Sequence, residues 1–112
     1  MDGFSQRKKA FETKFSHDEE LQFRTKARRN RLIGLWAADI MGLSSDEADT
    51  YAEGIIMICF DSPDDGHVIN KVFQDLQDAG HEVSEHKISK ELDRVHKMSH
   101  DMIYKDKDHE GK

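Results

Sequence analysis

Between Ser16 and Met41 no proline breaks the chain, and Ser16 is followed three residues later by Glu19. That pairing reads as a capping box, in which the hydroxyl accepts an orphan backbone N–H at a helix start and the carboxylate reaches back to another. Asp18, Glu19 and Glu20 place negative charge at the positive end of the helix dipole, and Gly42 stands where a C-terminal stop belongs. The pattern predicts one long helix over Ser16–Met41. Its second half, Leu32-Ile33-Gly34-Leu35-Trp36-Ala37-Ala38, is apolar nearly all round, the mark of a helix surrounded by others. At about 100° per residue Leu21, Leu32, Leu35 and Trp36 share a stripe, so the core is expected to begin near Leu21 and to enclose Trp36. Arg28 falls on the same stripe, either as the partner of an internal carboxylate or as the edge of a docking surface.

Three more helices follow from the same signals. Ser44 and Glu47 repeat the capping box, and Ala48, Tyr51, Ala52, Ile55, Ile56 and Cys59 keep helical spacing. The short apolar run from Ile55 to Phe60 would also suit a buried strand, but the cap and the upstream pattern favour helix. Gly54 sits inside it at a cost of about 1 kcal/mol relative to Ala, unless close packing compensates. Ser62–Gly66 breaks the chain, and a third helix is expected from Pro63 or Asp65 to Ala79, with Val68, Ile69, Val72, Phe73 and Leu76 inward and Gly80 as the stop. The fourth starts after Ser84, with Ile88, Leu92, Val95, Met98, Met102 and Ile103 on its apolar face. From Tyr104 onward no apolar set continues, and the end should fray. Short loops marked by Gly or Pro make this an all-α, four-helix antiparallel bundle over residues 16–104. A mobile N-terminal segment over 1–15 and a disordered tail over 105–112 complete the expected organisation.

Met1–Phe15 is unusual for a tail. Phe4, Lys8, Phe11 and Phe15 share one side of a notional helix, yet Gly3, Ser5 and Arg7-Lys8-Lys9 offer no second apolar face. An isolated helix of this length is marginal in water, so the segment either packs on its own body or folds into a groove on a partner. A slightly sticky disordered tail is the plain alternative.

Charge is divided along the chain. Residues 1–31 hold nine Lys/Arg against five Asp/Glu, a net +4, whereas residues 32–112 hold eight against eighteen, a net −10. A basic front on an acidic body suits an acidic partner surface, although two solvated faces of one small protein would look the same. At 112 residues the chain is one domain with room for a modest core. Ile55–Phe60, the longest unbroken apolar run, is far too short to span a bilayer, and the N-terminus shows no apolar signal region, so a cytoplasmic setting is expected. The single cysteine, Cys59, has apolar neighbours and reads as an inert core thiol.

Catalytic chemistry finds no footing. The chain has no Gly-rich phosphate loop, no Cys-x-x-Cys, no His-Glu-x-x-His and no Gly-x-Ser-x-Gly, so neither an enzyme nor a resident cofactor is expected. His96 and His100, one turn apart with Asp93 on the same side, could hold a metal, but a solvated polar stripe explains them equally well. Arg24, Lys26, Arg28, Arg29 and Arg31 could meet phosphates, yet no aromatic stacking positions are interleaved and the body is acidic, which speaks against nucleic acid.

The run Phe11-Glu12, Lys14-Phe15, His17-Asp18-Glu19-Glu20-Leu21, Phe23-Arg24, Ala27-Arg28-Arg29-Asn30 and Gly34-Leu35-Trp36-Ala37-Ala38 resembles the zeta subunit of alphaproteobacterial F-type ATP synthases, an ATPase inhibitor. The similarity continues more loosely through Gly42-Leu43, Tyr51-Ala52 and the last two helices. It implies a small four-helix protein whose N-terminal segment folds as it enters the catalytic head, among the alpha, beta and gamma subunits, and blocks ATP hydrolysis. On that resemblance Phe4, Arg7, Ala10, Phe11, Glu12, Lys14 and Phe15 belong to the inhibitory segment, and Asp18 through Arg29 to its continuation. Ser5, Gln6 and Lys8 depart from the family pattern, where acidic residues are commoner.

The physics is consistent with such a role. A wedge that orders in one half-closed interface holds that interface by binding one state better than the others. Phe4, Phe11 and Phe15 would be apolar anchors, while Arg7, Lys8, Lys9 and Lys14 answer acidic surface, with Asp18, Arg24, Arg28 and Arg29 in a second contact. The free protein is expected to be monomeric. The rival reading is a small regulator that holds ATP or ADP weakly in a bundle cleft.

Overall fold

The computed structural model describes the backbone of residues 2–61 and 64–110 and the side chains of residues 18–61 and 64–105. Four helices follow in order: α1 (Asp2–Met41), α2 (Ser45–Asp61), α3 (Asp65–Asp78) and α4 (Glu85–Glu110), and the described residues contain no strand. The fold is an all-α, four-helix antiparallel bundle in which α1 touches all three other helices and packs chiefly between α2 and α4.

The ends of the helices are closed by side chains that the sequence places there. At the start of α2 the Ser44 N–H donates to Glu47 Oε1 at 3.0 Å, and the Glu47 N–H donates to Ser44 Oγ at 3.2 Å. These reciprocal bonds hold the Glu47 carboxyl below its ordinary range, the Ser44 backbone N–H contributing most. Asp64 accepts from the Gly66 N–H at the start of α3, and Ser84 Oγ accepts from the Lys87 N–H at the start of α4. Helices α1 and α3 stop in the same way. Gly42 (φ 74°) and Gly80 (φ 85°) take the left-handed conformation, and the residue after each donates back to a carbonyl, Leu43 to Ala38 at 3.0 Å and His81 to Leu76 at 2.9 Å. A Cβ at either glycine would be strained in that backbone, so glycine is what lets the turn close.

Two helix boundaries differ from expectation. The first helix runs through Ser16 from Asp2, because Gln6–Phe15 is rich in good helix formers and nothing between Gly3 and Ser16 stops propagation. Ser16 and Glu19 are therefore interior positions rather than a start. The last helix continues past Tyr104 to Glu110. The expected mobility of Met1–Phe15 concerns residues whose side chains lie outside the described ones, as do those of 106–112 in the expected tail.

The core is formed by Ile33, Ala37, Ile55, Val68, Val72, Leu76, Ile88, Leu92 and Val95. Trp36 does not join it; the indole is only partly buried and packs against its edge, as do Leu32 and Phe73. Buried positions on α1 follow two adjacent rows of every fourth residue, Leu21–Thr25–Arg29–Ile33–Ala37 and Asn30–Gly34–Ala38, rather than the expected Leu21–Arg28–Leu32–Leu35–Trp36 stripe. The reason is that α1 is covered on two sides, so its buried face follows ridges used in helix packing instead of one straight line. On α4 the expected Met98 and Met102 are exposed, and Ser99 takes the inward place after Val95. The Tyr51 hydroxyl donates to Asp75 Oδ2 at 2.8 Å and ties α2 to α3; burial first, then Asp75, pushes its pKa far up.

Two glycines make opposite demands. A Cβ on Gly34 would lie 2.9 Å from Ala52 Cα and 3.3 Å from Ile55 Cγ1, so α1 and α2 cross here in backbone contact. Nothing lies within 4 Å of a Cβ on Gly54. Gly34→Ala is therefore expected to destabilise the bundle by about 1–3 kcal/mol through overpacking. Gly54→Ala should stabilise it by up to about 1 kcal/mol through helix propensity. Urea melts of the two variants test this, and a shift of the same sign in both would show that the crossing is not tight.

Candidate partner-binding surface

The two inward rows of α1 each carry a residue that a core does not ordinarily hold, Arg29 (3% exposed) and Asn30 (fully buried). Arg29 Nε and Nη2 both donate to Asn30 Oδ1, at 3.1 and 3.0 Å, and Arg29 Nη1 donates to Asp65 Oδ1 at 2.9 Å. Asn30 Nδ2 donates in turn to the Ile55 carbonyl and to Cys59 Sγ, both at 3.0 Å. One polar knot thus links α1, α2 and the first residue of α3. Burial pushes the Cys59 thiol upward, with the Arg29 charge pulling the other way, so the thiol stays protonated at neutral pH.

Arg29 is therefore not offered to a partner. It fills the role that the sequence reading left open for its neighbour Arg28, that of an internal mate for a carboxylate. The available signal was the four-residue step from Leu21 through Thr25 and Arg29 to Ile33. Arg28 is partly buried, and its buried Nε finds no hydrogen-bond partner among the described residues. Asp18 and Arg24 are exposed. Arg31 lies 3.7 Å from Asp49 of α2, an exposed pair of small energetic weight. Phe4, Arg7, Lys8, Lys9, Ala10, Phe11, Glu12, Lys14 and Phe15 belong to the first turns of α1, and their side chains lie outside the described residues.

One aromatic residue, Phe60, escaped the sequence reading as a possible contact, and Phe23 entered it only within the Asp18–Arg29 continuation. Phe23 of α1 and Phe60 of α2 meet edge to face with ring centroids 4.9 Å apart. Both stay substantially in water, as does Met57.

A cleft of about 210 Å³ opens between α1 and α4, lined by Gln22, Thr25, Lys26, His96, His100 and Tyr104. It is smaller than the roughly 300–1,000 Å³ of ordinary ligand pockets, so it does not favour an enclosed nucleotide. Among the described residues no group of three or more His, Cys, Asp or Glu could hold a metal ion, and His100 stacks on Tyr104 with ring centroids 4.2 Å apart.

His96 Nδ1 is buried without a hydrogen-bond partner among the described residues. Its pKa is lowered, chiefly by burial and then by Arg29, with His100 and Lys26 adding to the effect and Asp65 opposing it. The folded state therefore prefers neutral His96. Its contribution is complete above the ordinary histidine value of about 6.5 and falls as pH drops below it, because the unfolded chain then takes the proton first. The melting temperature of the wild type is expected to fall more steeply than that of His96→Gln between about pH 7 and pH 5.5. Parallel curves for the two proteins would remove His96 from the pH dependence.

No curated protein and no solved structure matches the chain significantly. Among the described residues no helix is long and apolar enough to cross a membrane. The family model described as ATPase inhibitor subunit zeta matches residues 1–101. With nearly all of its 112 residues covered, the chain belongs to the ATPase inhibitor subunit zeta family.

Proposed function

We propose that this protein inhibits ATP hydrolysis by an F-type ATP synthase, inserting the N-terminal part of α1 at an interface of the catalytic head among its alpha, beta and gamma subunits. The observation that carries the reading is the match to the ATPase inhibitor subunit zeta family over residues 1–101. The front of the chain belongs to the same unbroken helix that Leu21, Thr25 and Ile33 bury in the bundle. Residues 1–15 form the inhibitory segment, with Phe4, Phe11 and Phe15 as apolar anchors and Arg7, Lys8, Lys9 and Lys14 facing acidic surface; Ala10 and Glu12 complete it. Asp18, Arg24 and Arg28 continue the contact. Arg29 supports it from inside by fixing α1 to α2 and α3. The bundle stays outside as a stop, and the protein works in the cytoplasm, peripheral to the membrane that carries the synthase.

The test is direct. Purified protein is added to the cognate catalytic head while ATP hydrolysis is followed. Saturable inhibition at about one protein per head is expected, and an unchanged hydrolysis rate at saturating protein would sink the reading.

A further inference from the structure

Helix α4 is anchored firmly over its first half and lightly over its second. Ile88, Leu92 and Val95 are buried in the core. From His96 to Tyr104 the one buried side chain is Ser99; Met98 and Met102 are exposed, and Ile103 and Tyr104 are only partly buried. Ser99 Oγ and His96 Nδ1 are also buried atoms without a hydrogen-bond partner among the described residues. A segment with few buried apolar groups and unmet polar ones opens more readily than the core beside it.

The charges around His96 are one-sided. Its ring lines the cleft between α4 and α1, which Gln22, Thr25 and Lys26 line from the α1 side. Among the described residues the charges acting on it are Arg29 and Lys26 of α1, Asp65 at the start of α3 and His100 one turn along α4, with none from α2. Asp65, the single carboxylate in that set, is already engaged by Arg29 at 2.9 Å. His100 differs, because its Nδ1 lies 3.6 Å from Asp101 Oδ1 and a proton there meets a carboxylate. A proton on His96 meets two cations instead. Burial, and then Arg29, holds its pKa below the ordinary histidine value, so the ring takes its proton more readily once it reaches water. The α1–α2 side has no such weakness. Asn30 Nδ2 donates to the Ile55 carbonyl, the backbones meet at Gly34 and Ala52, and neither contact contains a group that titrates near neutrality.

We propose that α4 beyond Val95 is a proton-operated latch on α1. A proton on His96 in mild acid releases His96–Tyr104 from Gln22–Lys26, while Ile88–Val95 keeps α4 in the core and α2 stays on α1. Release uncovers the α4-facing side of Gln22–Lys26, so the latch sets how far along its length α1 is clamped. It is a property of the fold and operates whatever the front of α1 binds.

Amide hydrogen exchange of the full chain at about pH 7.5 and about pH 5.5 tests the latch, each rate being divided by that of the unfolded peptide at the same pH. The released ring titrates at about 6.5, so protection over His96–Tyr104 is expected to fall by up to about tenfold across that range. Protection of Ala52–Ile58 in α2 should stay as it was. His96→Gln, which takes no proton, should abolish the fall. An equal fall in wild type and in His96→Gln overturns the latch. A fall of the same size in α2 as in α4 is global unfolding and overturns it too. An NMR titration of the His96 ring in the wild type covers the case in which the variant is loosely folded. Its midpoint should coincide with the loss of protection, and a ring that titrates while protection stays intact overturns the proposal.

Discussion

Asp65→Ala is expected to destabilise the bundle by about 3 kcal/mol, toward the lower end for breaking a buried ion pair from one side. The asymmetry of the pair sets both the sign and the size. Arg29 is 3% exposed and Asp65 is 53% exposed, so removing the carboxylate leaves a buried guanidinium charge without its counter-ion. The half-open side of the pair lets some water follow, which keeps the effect below the maximum. Arg29→Met works differently, because it takes the buried charge away and leaves only Asn30 Oδ1 without its donor. Its cost is expected to be smaller, about 1–3 kcal/mol, the penalty for one unsatisfied buried polar group. Urea denaturation of the two variants decides the matter. Equal losses would mean that the guanidinium is already solvated and the knot adds little.

Deleting Met1–Phe15 is expected to abolish inhibition, since losing just two of its three apolar anchors at roughly 2 kcal/mol each would raise the half-inhibitory concentration by about 700-fold. The remaining protein should still melt cooperatively. The core residues Ile33 and Ala37 and the Arg29–Asn30–Asp65 knot all lie well downstream of the cut. Phe11→Ala with Phe15→Ala should reproduce much of the functional loss in a full-length helix. A truncated protein that inhibits like the full chain would move the inhibitory contact onto the bundle, with the Arg24–Arg31 stretch the next place to look. A truncated protein without a cooperative melt would show that the segment belongs to the fold.

The parts of the fold that were legible in the sequence are those set by local chemistry. Ser44 and Glu47 cap a helix because both groups lie within one turn of the backbone they satisfy. Gly42 and Gly80 end helices because their backbone conformation suits glycine in any surrounding. What was missed depended on neighbours distant in sequence. Ser16 resembled a start, but a cap acts only where the upstream chain is not already helical. Arg28 was favoured over Arg29 because one straight stripe was drawn on a helix that is covered from two sides. Trp36 was placed inside on its apolar character, yet the space beside Gly34 belongs to the Ala52 backbone, and the indole stays at the edge. Phe60 had no local signal of exposure at all; only the placement of α2 against α1 brings its ring to Phe23.

The location of the polar knot has a mechanical meaning. If a rotating partner pulls on the front of α1, the load travels down the helix backbone and enters the bundle at Leu21 and Thr25, reaching Arg29 and Asn30 within two further turns. Those two residues are fastened sideways to the Ile55 carbonyl and to Asp65. A pull along the axis therefore shears several hydrogen bonds at once instead of peeling them in sequence. The knot anchors α1 to the bundle, and weakening it should let α1 slip before the core melts.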